Sequence, residues 1–589
     1  MATRRGQRSA RWISALVVFF CAAAAAPAAR EYRTEDVGTL RITIDTDWAP
    51  RSAPGYLPAR FEITNMGDAR VIEIIAQGSR VFVGRTRGAG SGSTITRQSV
   101  RLAMGDRVKV TMPVPIYADS ESLRFEIQER GRLLLRFNYS GFQSRAALHD
   151  ASALVVAAAG SPTSGVGLRT ARVPAGRSTP APTLDFVLEP SRLPSNWLGY
   201  TSLRAVVIGP IEWGQMSDGQ KSALLTWTAS GGDLIFVNGE IKTLVPSAKL
   251  QPGVNPDRMI ARHLFGRIHA LNLTSLAPTG LSDLLLATET DRELHLAMPA
   301  NTAPDWGNIE GRGFRLRIPG IQGVPARVYL GILILFSFLI GPVNYWLLRR
   351  RRQQVLVVLT APLISAAFIV LLAGYAIAGE GFHVQGRAVT FTMLDQVNKQ
   401  AATRATVSLY AAGMTPSAGL TFPRDAAVYT IGPEGMGLRD RVDLNLTDAQ
   451  HYASGVLQAR SPTNLEQVTA RAARERLTFS RGDAGMEVTN GLEASIVALL
   501  YRDGDTIYRL DGSVSSGGKH TLKAAPFNPL QAIPEGLRIP AKFVDIFQNQ
   551  PRGSYIAVLD RSPFWEPGVS GLVERGSLHI VMGWPEGQQ

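Results

Sequence analysis

The chain has 589 residues, too many for one ordinary domain, and three or four folded units are expected. Hydrophobic residues make up 45 %, enough for packed cores. Of the formal net charge of +14, eight units sit in two arginine clusters, Arg4–Arg11 and Arg349–Arg352. The remaining +6 is too small and too dispersed for a nucleic-acid footprint, so no nucleic-acid partner is expected.

The first cluster precedes an apolar, alanine-rich run, Ile13–Ala26, and Ala26-Pro27-Ala28 offers an A-x-A cleavage site. That order predicts a secretory signal peptide over residues 1–28. The only cysteine, Cys21, lies within it, and the bulky Phe20 before it argues against a lipid anchor. The mature chain then has no disulfide, thiolate metal site or cysteine nucleophile.

Residues 36–147 alternate apolar and polar positions (Leu40, Ile42, Ile44; Phe61, Ile63; Val108, Val110, Met112), which predicts an antiparallel, Ig-like β-sandwich. The run Gly88–Ser93, GAGSGS, is expected as a flexible loop. Residues 151–325 read differently. Ala151–Gly160 and Thr201–Pro210 look like buried parallel strands. A helix capped by Ser217, with Leu224, Leu225 and Trp227 on its apolar face, ends at Gly231-Gly232 before a strand at Leu234–Val237. This is an α/β layer. The stretch DRMIARHLFGRIHAL, from Asp257, is expected as an amphipathic helix, and GFRLRIPG as a strand leading to the membrane.

Val328–Leu348 and Val355–Ala378 are uncharged and long enough to cross a bilayer. The six-residue turn between them, 349–354, carries Arg349, Arg350, Arg351 and Arg352. Arginines in a short loop stay cytoplasmic, so a two-pass hairpin is expected, anchored at its tip, with both large segments outside the inner membrane. After it, residues 384–589 return to strand alternation, with a hairpin turn at Asp503-Gly504, and predict a β-rich extracytoplasmic unit. The stretch Asn528–Gln550 has room for one or two short helices.

LPSNWLGYTSLRAVVIG followed by ALLTWTASGGDLIFVNG resembles the class I glutamine amidotransferase-like modules of bacterial membrane proteins. The later PARVYLGILILFSFLIGPVNYWLLRR resembles the membrane hairpin that follows such modules in a family of large cell-envelope proteins. The resemblance implies a flavodoxin/amidotransferase-like fold over residues 151–325. It does not imply the amidotransferase reaction, which needs a Cys–His pair.

Ligands of open α/β sheets sit beyond the carboxyl ends of the strands. Gly209, Glu212 and Trp213 follow one such strand here, and Asn238, Gly239 and Glu240 the next, so these six are the candidate ligand site. Ordinary loop residues are the competing interpretation. None of the eight histidines forms a zinc motif, no G-x-S-x-G elbow occurs, and GSVSSGGK (Gly512–Lys519) is a glycine-rich turn rather than a phosphate loop. No cofactor, metal or catalytic residue is expected.

Three functions compete. The first is a non-catalytic, membrane-anchored scaffold or accessory subunit with membrane or periplasmic protein partners. The second is a polysaccharide-binding subunit, in a layout similar to the periplasmic subunit of bacterial cellulose synthase, which needs Trp48, Trp197 or Trp213 to line a groove. The third is a hydrolase or transferase using Glu212 and Glu240.

Overall fold

The structure is a computed structural model. It describes residues 32–45, 55–83, 89–116, 120–139, 152–158, 161, 183–203, 205–248, 250–252, 259–271, 316, 318–321, 326–351, 354–380, 383–412, 419–431, 441–482, 485–525 and 550–585. Cys21, the expected signal peptide and the helices expected within Asn528–Gln550 lie largely or wholly outside these residues. Strand dominates, in several sheets, and helices are few.

The first segment holds β1 (Tyr32–Val37), β2 (Leu40–Asp45), β3 (Gly55–Asn65), β4 (Arg70–Val83), β5 (Ala89–Leu102), β6 (Arg107–Ile116), β7 (Ser120–Glu129) and β8 (Arg132–Tyr139). One sheet runs β1-β2-β3-β6 and a second contains β5-β4-β7-β8. The alternating residues read from the sequence meet in one core, where the Phe61 ring on one sheet lies edge-on to Phe125 on the other at 5.6 Å. The GAGSGS run is not a loop. From Ala89 onward it is strand, paired with β4 (Ser79↔Ser93, Val83↔Ala89), where the ladder satisfies its backbone groups.

The next segment holds β9 (Ser152–Val156), β10 (Thr183–Leu188), β11 (Ala205–Ile208), β12 (Asp233–Val237), β13 (Leu250–Pro252), β14 (Met259–His263) and β15 (Gly266–Leu271). Its helices are α1 (Pro210–Gln215), α2 (Asp218–Ala229) and α3 (Ile241–Leu244). The sheet order is β10-β9-β11-β12-β15-β14-β13, with β10, β9, β11, β12 and β15 parallel. Helix α2 begins with a full capping box between Ser217 and Gln220 and buries Leu224 and Trp227. The helix expected from Asp257 is instead the β14–β15 hairpin. The parallel ladder from β12 to β15 settles that choice, and Leu264 makes the turn at φ 51°. Of GFRLRIPG the described part, Leu316 and Ile318–Gly320, is buried at both apolar residues but forms no strand.

Then come α4 (Ala326–Phe338), a π-helical turn (Leu339–Val343), α5 (Asn344–Arg350) and α6 (Val357–Glu380). Pro342 lies in the π turn; it has no N–H for the usual ladder, and the wider turn absorbs it without breaking the helix. The stretch Leu330–Arg350 is long and apolar enough to cross a membrane, and α6 contains a shorter apolar stretch, Val357–Leu372. Asn344 donates to Thr360 Oγ1 at 3.0 Å and Phe336 meets Phe368 at 5.1 Å, so the helices touch. Many of their described apolar side chains are bare: Val358, Leu363 and Ile334 are all well exposed.

The last segment holds β16 (Val384–Asp395), β17 (Gln400–Ala411), β18 (Leu420–Phe422), β19 (Ala427–Ile431), β20 (Arg441–Asn445), β21 (Gln450–Ser454), β22 (Thr463–Ala472), β23 (Arg476–Gly482), β24 (Gly485–Gly491) and β25 (Ile496–Asp503). It closes with β26 (Thr506–Arg509), β27 (Lys519–Ala525), β28 (Tyr555–Leu559), β29 (Val573–Glu574) and β30 (Leu578–Trp584). Most form one twelve-stranded sheet, in which the expected turn falls at Gly504. Three do not. Strands β18, β21 and β20 extend the second sheet of the first segment, in the order β18-β21-β20-β5-β4-β7-β8. The junction is a parallel pair, Arg441↔Ser93 to Asn445↔Arg97. One sheet is therefore built from chain on both sides of the apolar helices.

Candidate functional site

Numbered along the chain, the five parallel strands of the α/β layer lie in the order 2-1-3-4-5, and the order reverses between β9 and β11. Such a switch point is where the loops diverge and leave a crevice. Gly209 starts α1 there and Pro210 supplies a preset φ at its first position. One turn on, Glu212 is 1 % exposed, and its Oε1 accepts from the Ala158 N–H, just past β9, at 3.1 Å. The carboxylate thus links α1 to the backbone just past β9. Trp213 is half-buried and packs against the core, with Lys221 Nζ 5.9 Å from its ring centroid.

The second group sits after β12. Asn238 is exposed at φ 54°, and its N–H donates to the Leu271 carbonyl at 2.7 Å, a turn geometry that asparagine tolerates. A Cβ on Gly239 would fall 2.1 Å from the Phe236 ring, so glycine is required for packing. Glu240 is exposed at the N-cap of α3 without a side-chain capping bond. Strand β12 flanks β11 on the side opposite β9, the side to which Glu212 is bonded. The structure therefore puts the two carboxylates in different settings: Glu212 buried against backbone, Glu240 in solvent.

Of the arginines expected to anchor the tip, Arg349 and Arg350 lie on the last turn of α5 and Arg351 caps it; all three are exposed, with Arg350 stacked 5.5 Å from the Trp346 ring centroid. Arg352 lies outside the described residues.

Among the tryptophans named for a carbohydrate groove, Trp197 is buried and donates from Nε1 to the Asp425 carbonyl at 2.7 Å, so it braces the α/β layer against the last segment. Trp48 lies outside the described residues. The LDRSPFWEPG loop is held by backbone: Asp560 accepts from Ser495 N–H at 2.9 Å and Arg561 donates to the Glu493 carbonyl at 3.0 Å.

Three buried polar groupings were not anticipated. Asp233 faces Arg267 across the β12–β15 register, Oδ1 to Nε 3.2 Å, with His269 Nε2 at 3.6 Å. The polar alternation Arg267, His269 in a central strand is the sequence signal for it. His579 bridges Thr390 Oγ1 (3.0 Å from Nδ1) and Glu574 Oε2 (3.1 Å from Nε2), stacked on Trp565. Thr390 is 1 % exposed and His579 is likewise buried, while Glu574 at the far end of this Thr–His–Glu row is at the surface. The row ties β16, β29 and β30 together. Finally, Arg404 donates to the Ser230 carbonyl at the end of α2 at 2.9 Å, and Glu466 on the neighbouring strand is pushed up to about 8 by burial, against the pull of Arg404. Nearby, burial holds His263 down at about 4, opposed by Asp395 and the Leu225 carbonyl. These last two lie where the α/β layer packs on the twelve-stranded sheet. No group of three or more metal-ligating side chains occurs among the described residues. Neither a protein-family model nor a curated protein matches the chain.

Proposed function

We propose that this chain is a membrane-anchored envelope protein, a non-catalytic scaffold or accessory subunit that presents folded units outside the cytoplasm to membrane or periplasmic protein partners. A signal peptide over residues 1–28 would export the first segment. An Ig-like sandwich and a flavodoxin/amidotransferase-like layer would follow, the strand order β10-β9-β11-β12-β15 supporting the second. The helices α4–α5 and α6 would form a two-pass hairpin with its arginine tip in the cytosol.

One observation carries this reading: the parallel pairing of β20 with β5. Strands that share hydrogen bonds lie on one side of a membrane. If the chain between Leu102 and Arg441 crosses at all, it crosses an even number of times, as two apolar helices would. Their exposed leucines, isoleucines and valines suit lipid and not water. The buried setting of Glu212 and the open one of Glu240 favour structural and loop roles over paired acid–base chemistry.

The test is site-directed labelling in a Cys21→Ser background, with Arg350→Cys at the tip and Asp505→Cys on the exposed β25–β26 turn. A membrane-impermeant maleimide added to spheroplasts should label position 505 only, and added to inverted vesicles position 350 only. Labelling of both from one side would end the hairpin reading. Purification without any stoichiometric partner would count against the accessory role.

A further inference from the structure

The ends of the two apolar helices lead into one edge of the folded body. Ile318 and Ile321, just before α4, pack with Tyr410 and Ala412 at the end of β17. Strand β16 begins at Val384, four residues after α6 ends, and pairs there with Ala411. Ala459 bridges to Ala411, and the Arg460 N–H donates to the Ala411 carbonyl at 2.7 Å. Strand β29 pairs with Gln385 and Gly386, and the Arg575 N–H donates to the Gly386 carbonyl at 2.8 Å. At about 3.5 Å per residue, Ala326 lies at most about 18 Å from Ile321, and Glu380 at most about 14 Å from Val384. The edge is thus tethered close to the polar layer of the bilayer, itself about 5–8 Å deep per leaflet.

That edge carries a particular chemistry. Arg460 and Arg575 are exposed, and Arg387 reaches the surface beside them. Two of the guanidiniums are fixed in place through Nε: Arg387 to the Gly576 carbonyl at 2.9 Å and Arg460 to the Ala412 carbonyl. A Cβ built on Gly320, itself at φ +83°, would lie 2.9 Å from Arg575 Nη1, so that arginine lies over the segment entering α4. Val573 is 40 % exposed on the same short strand. Glu574, on the same strand, is bonded to His579.

We propose that this edge is a headgroup-binding collar. Arg387, Arg460 and Arg575, with Val573, dock the body on anionic phospholipids of the leaflet from which the hairpin emerges. Guanidinium groups pair with phosphate oxygens through two parallel bonds, and an exposed valine suits the interfacial layer. The docking holds the body in one orientation above the membrane instead of leaving it to pivot on two short tethers. This inference rests on the membrane-hairpin reading above.

The test uses the full chain with Cys21→Ser and Ala459→Cys, carrying a fluorophore at the exposed position 459, in vesicles of phosphatidylcholine alone or mixed in equal parts with phosphatidylglycerol. A lipid with a nitroxide on its headgroup serves as quencher. Quenching should be stronger with phosphatidylglycerol. Arg460→Gln with Arg575→Gln should weaken docking about fivefold per arginine, roughly 25-fold together, and leave the unfolding midpoint unchanged. If the double variant unfolds early, Arg460→Gln alone should still show its fivefold loss. Equal quenching in the two lipids, or an undiminished response in the variants, would overturn the collar. So would a response abolished by neutralising Arg349, Arg350 and Arg351 alone, because the lipid would then act at the tip. Extraction by alkaline carbonate separates the two readings: a released chain ends the hairpin and the collar together, whereas a retained chain with no lipid response ends the collar only.

Discussion

Glu466 sets a pH dependence that a single substitution can expose. Its side chain is buried on β22, its Oε2 has no hydrogen-bond donor among the described residues, and Arg404 on β17 opposes the burial penalty without cancelling it. The folded pKa, about 8, is above the ordinary carboxyl value of 4.5. The contribution of the protonated form is therefore complete below about pH 4.5 and lost as pH rises through about 8. Glu466→Gln keeps the shape and removes the titration. The variant should match the parent at pH 4 and exceed it at pH 9 by on the order of 4–5 kcal/mol, read from urea unfolding at both values. A parent and variant with parallel pH profiles would refute this. His263 acts in the opposite sense: its depressed pKa means stability held above about pH 6.5 and lost as pH falls toward 4. Tyr56 supplies a second prediction at this scale. Fully buried, its hydroxyl accepts from the Val428 N–H at 2.9 Å and lies 3.2 Å from Gln450 Oε1. Tyr56→Phe should cost about 1–3 kcal/mol, and amide exchange should rise first at Val428, whose donor loses this partner.

Within elements, β15 packs closely against the end of α2. A Cβ on Gly266 would lie 1.9 Å from the Thr228 carbonyl oxygen and 2.4 Å from that of Gly232. Both obstacles are backbone and cannot rotate away. Gly266→Ala should destabilise by at least about 3 kcal/mol. Gly105→Ala, at φ +82° with open space around it, should cost only about 1 kcal/mol of backbone strain. Equal midpoints for the two in thermal unfolding would refute the packing argument. Gly266 also marks what the sequence made legible and what it did not. Where a pattern is local it was readable: the N-cap at Ser217, the apolar strand Leu234–Val237, the hairpin turn at Asp503-Gly504, the uncharged run Val328–Leu348. It failed where a partner strand decides the outcome. MIARHLFGRIHAL has a helical spacing of apolar residues, yet β12 claims Gly266–Leu271 as a parallel neighbour. GAGSGS carries no strand signal of its own, yet β4 on one side and, through Ser93, β20 on the other supply the ladder. The candidate ligand site shows the same limit. Position after a strand was readable, but whether Glu212 would turn to solvent or to the Ala158 N–H depended on which strand lay beside β11.

The whole molecule depends on a contact that periodicity cannot reveal. Ser99 N–H donates to Thr447 Oγ1 at 3.1 Å across 348 residues, and β5 meets β20 over the same gap. Until β20 has been made, β5 is the open edge of a four-stranded array, and open edges pair with whatever strand is near. Closure over so long a loop is slow. The first segment should therefore be incomplete by itself, although its own alternation looks sufficient for a sandwich. Dividing the gene within the arginine turn, after Arg351, gives two fragments that each keep one apolar helix. Expressed alone, the first fragment should be degraded or aggregate, and limited proteolysis should find no resistant body. Expressed together, the fragments should co-purify in detergent, and residues 55–139 should become resistant. In the undivided chain, Leu444→Pro removes a ladder donor in the middle of β20 and should reproduce the defect of the lone fragment while α4–α6 still associate with membranes. A first fragment that is resistant by itself would mean that β20 merely decorates a finished sandwich. The shared sheet would then be an accessory contact, and the two-sided construction of the body would lose its energetic basis.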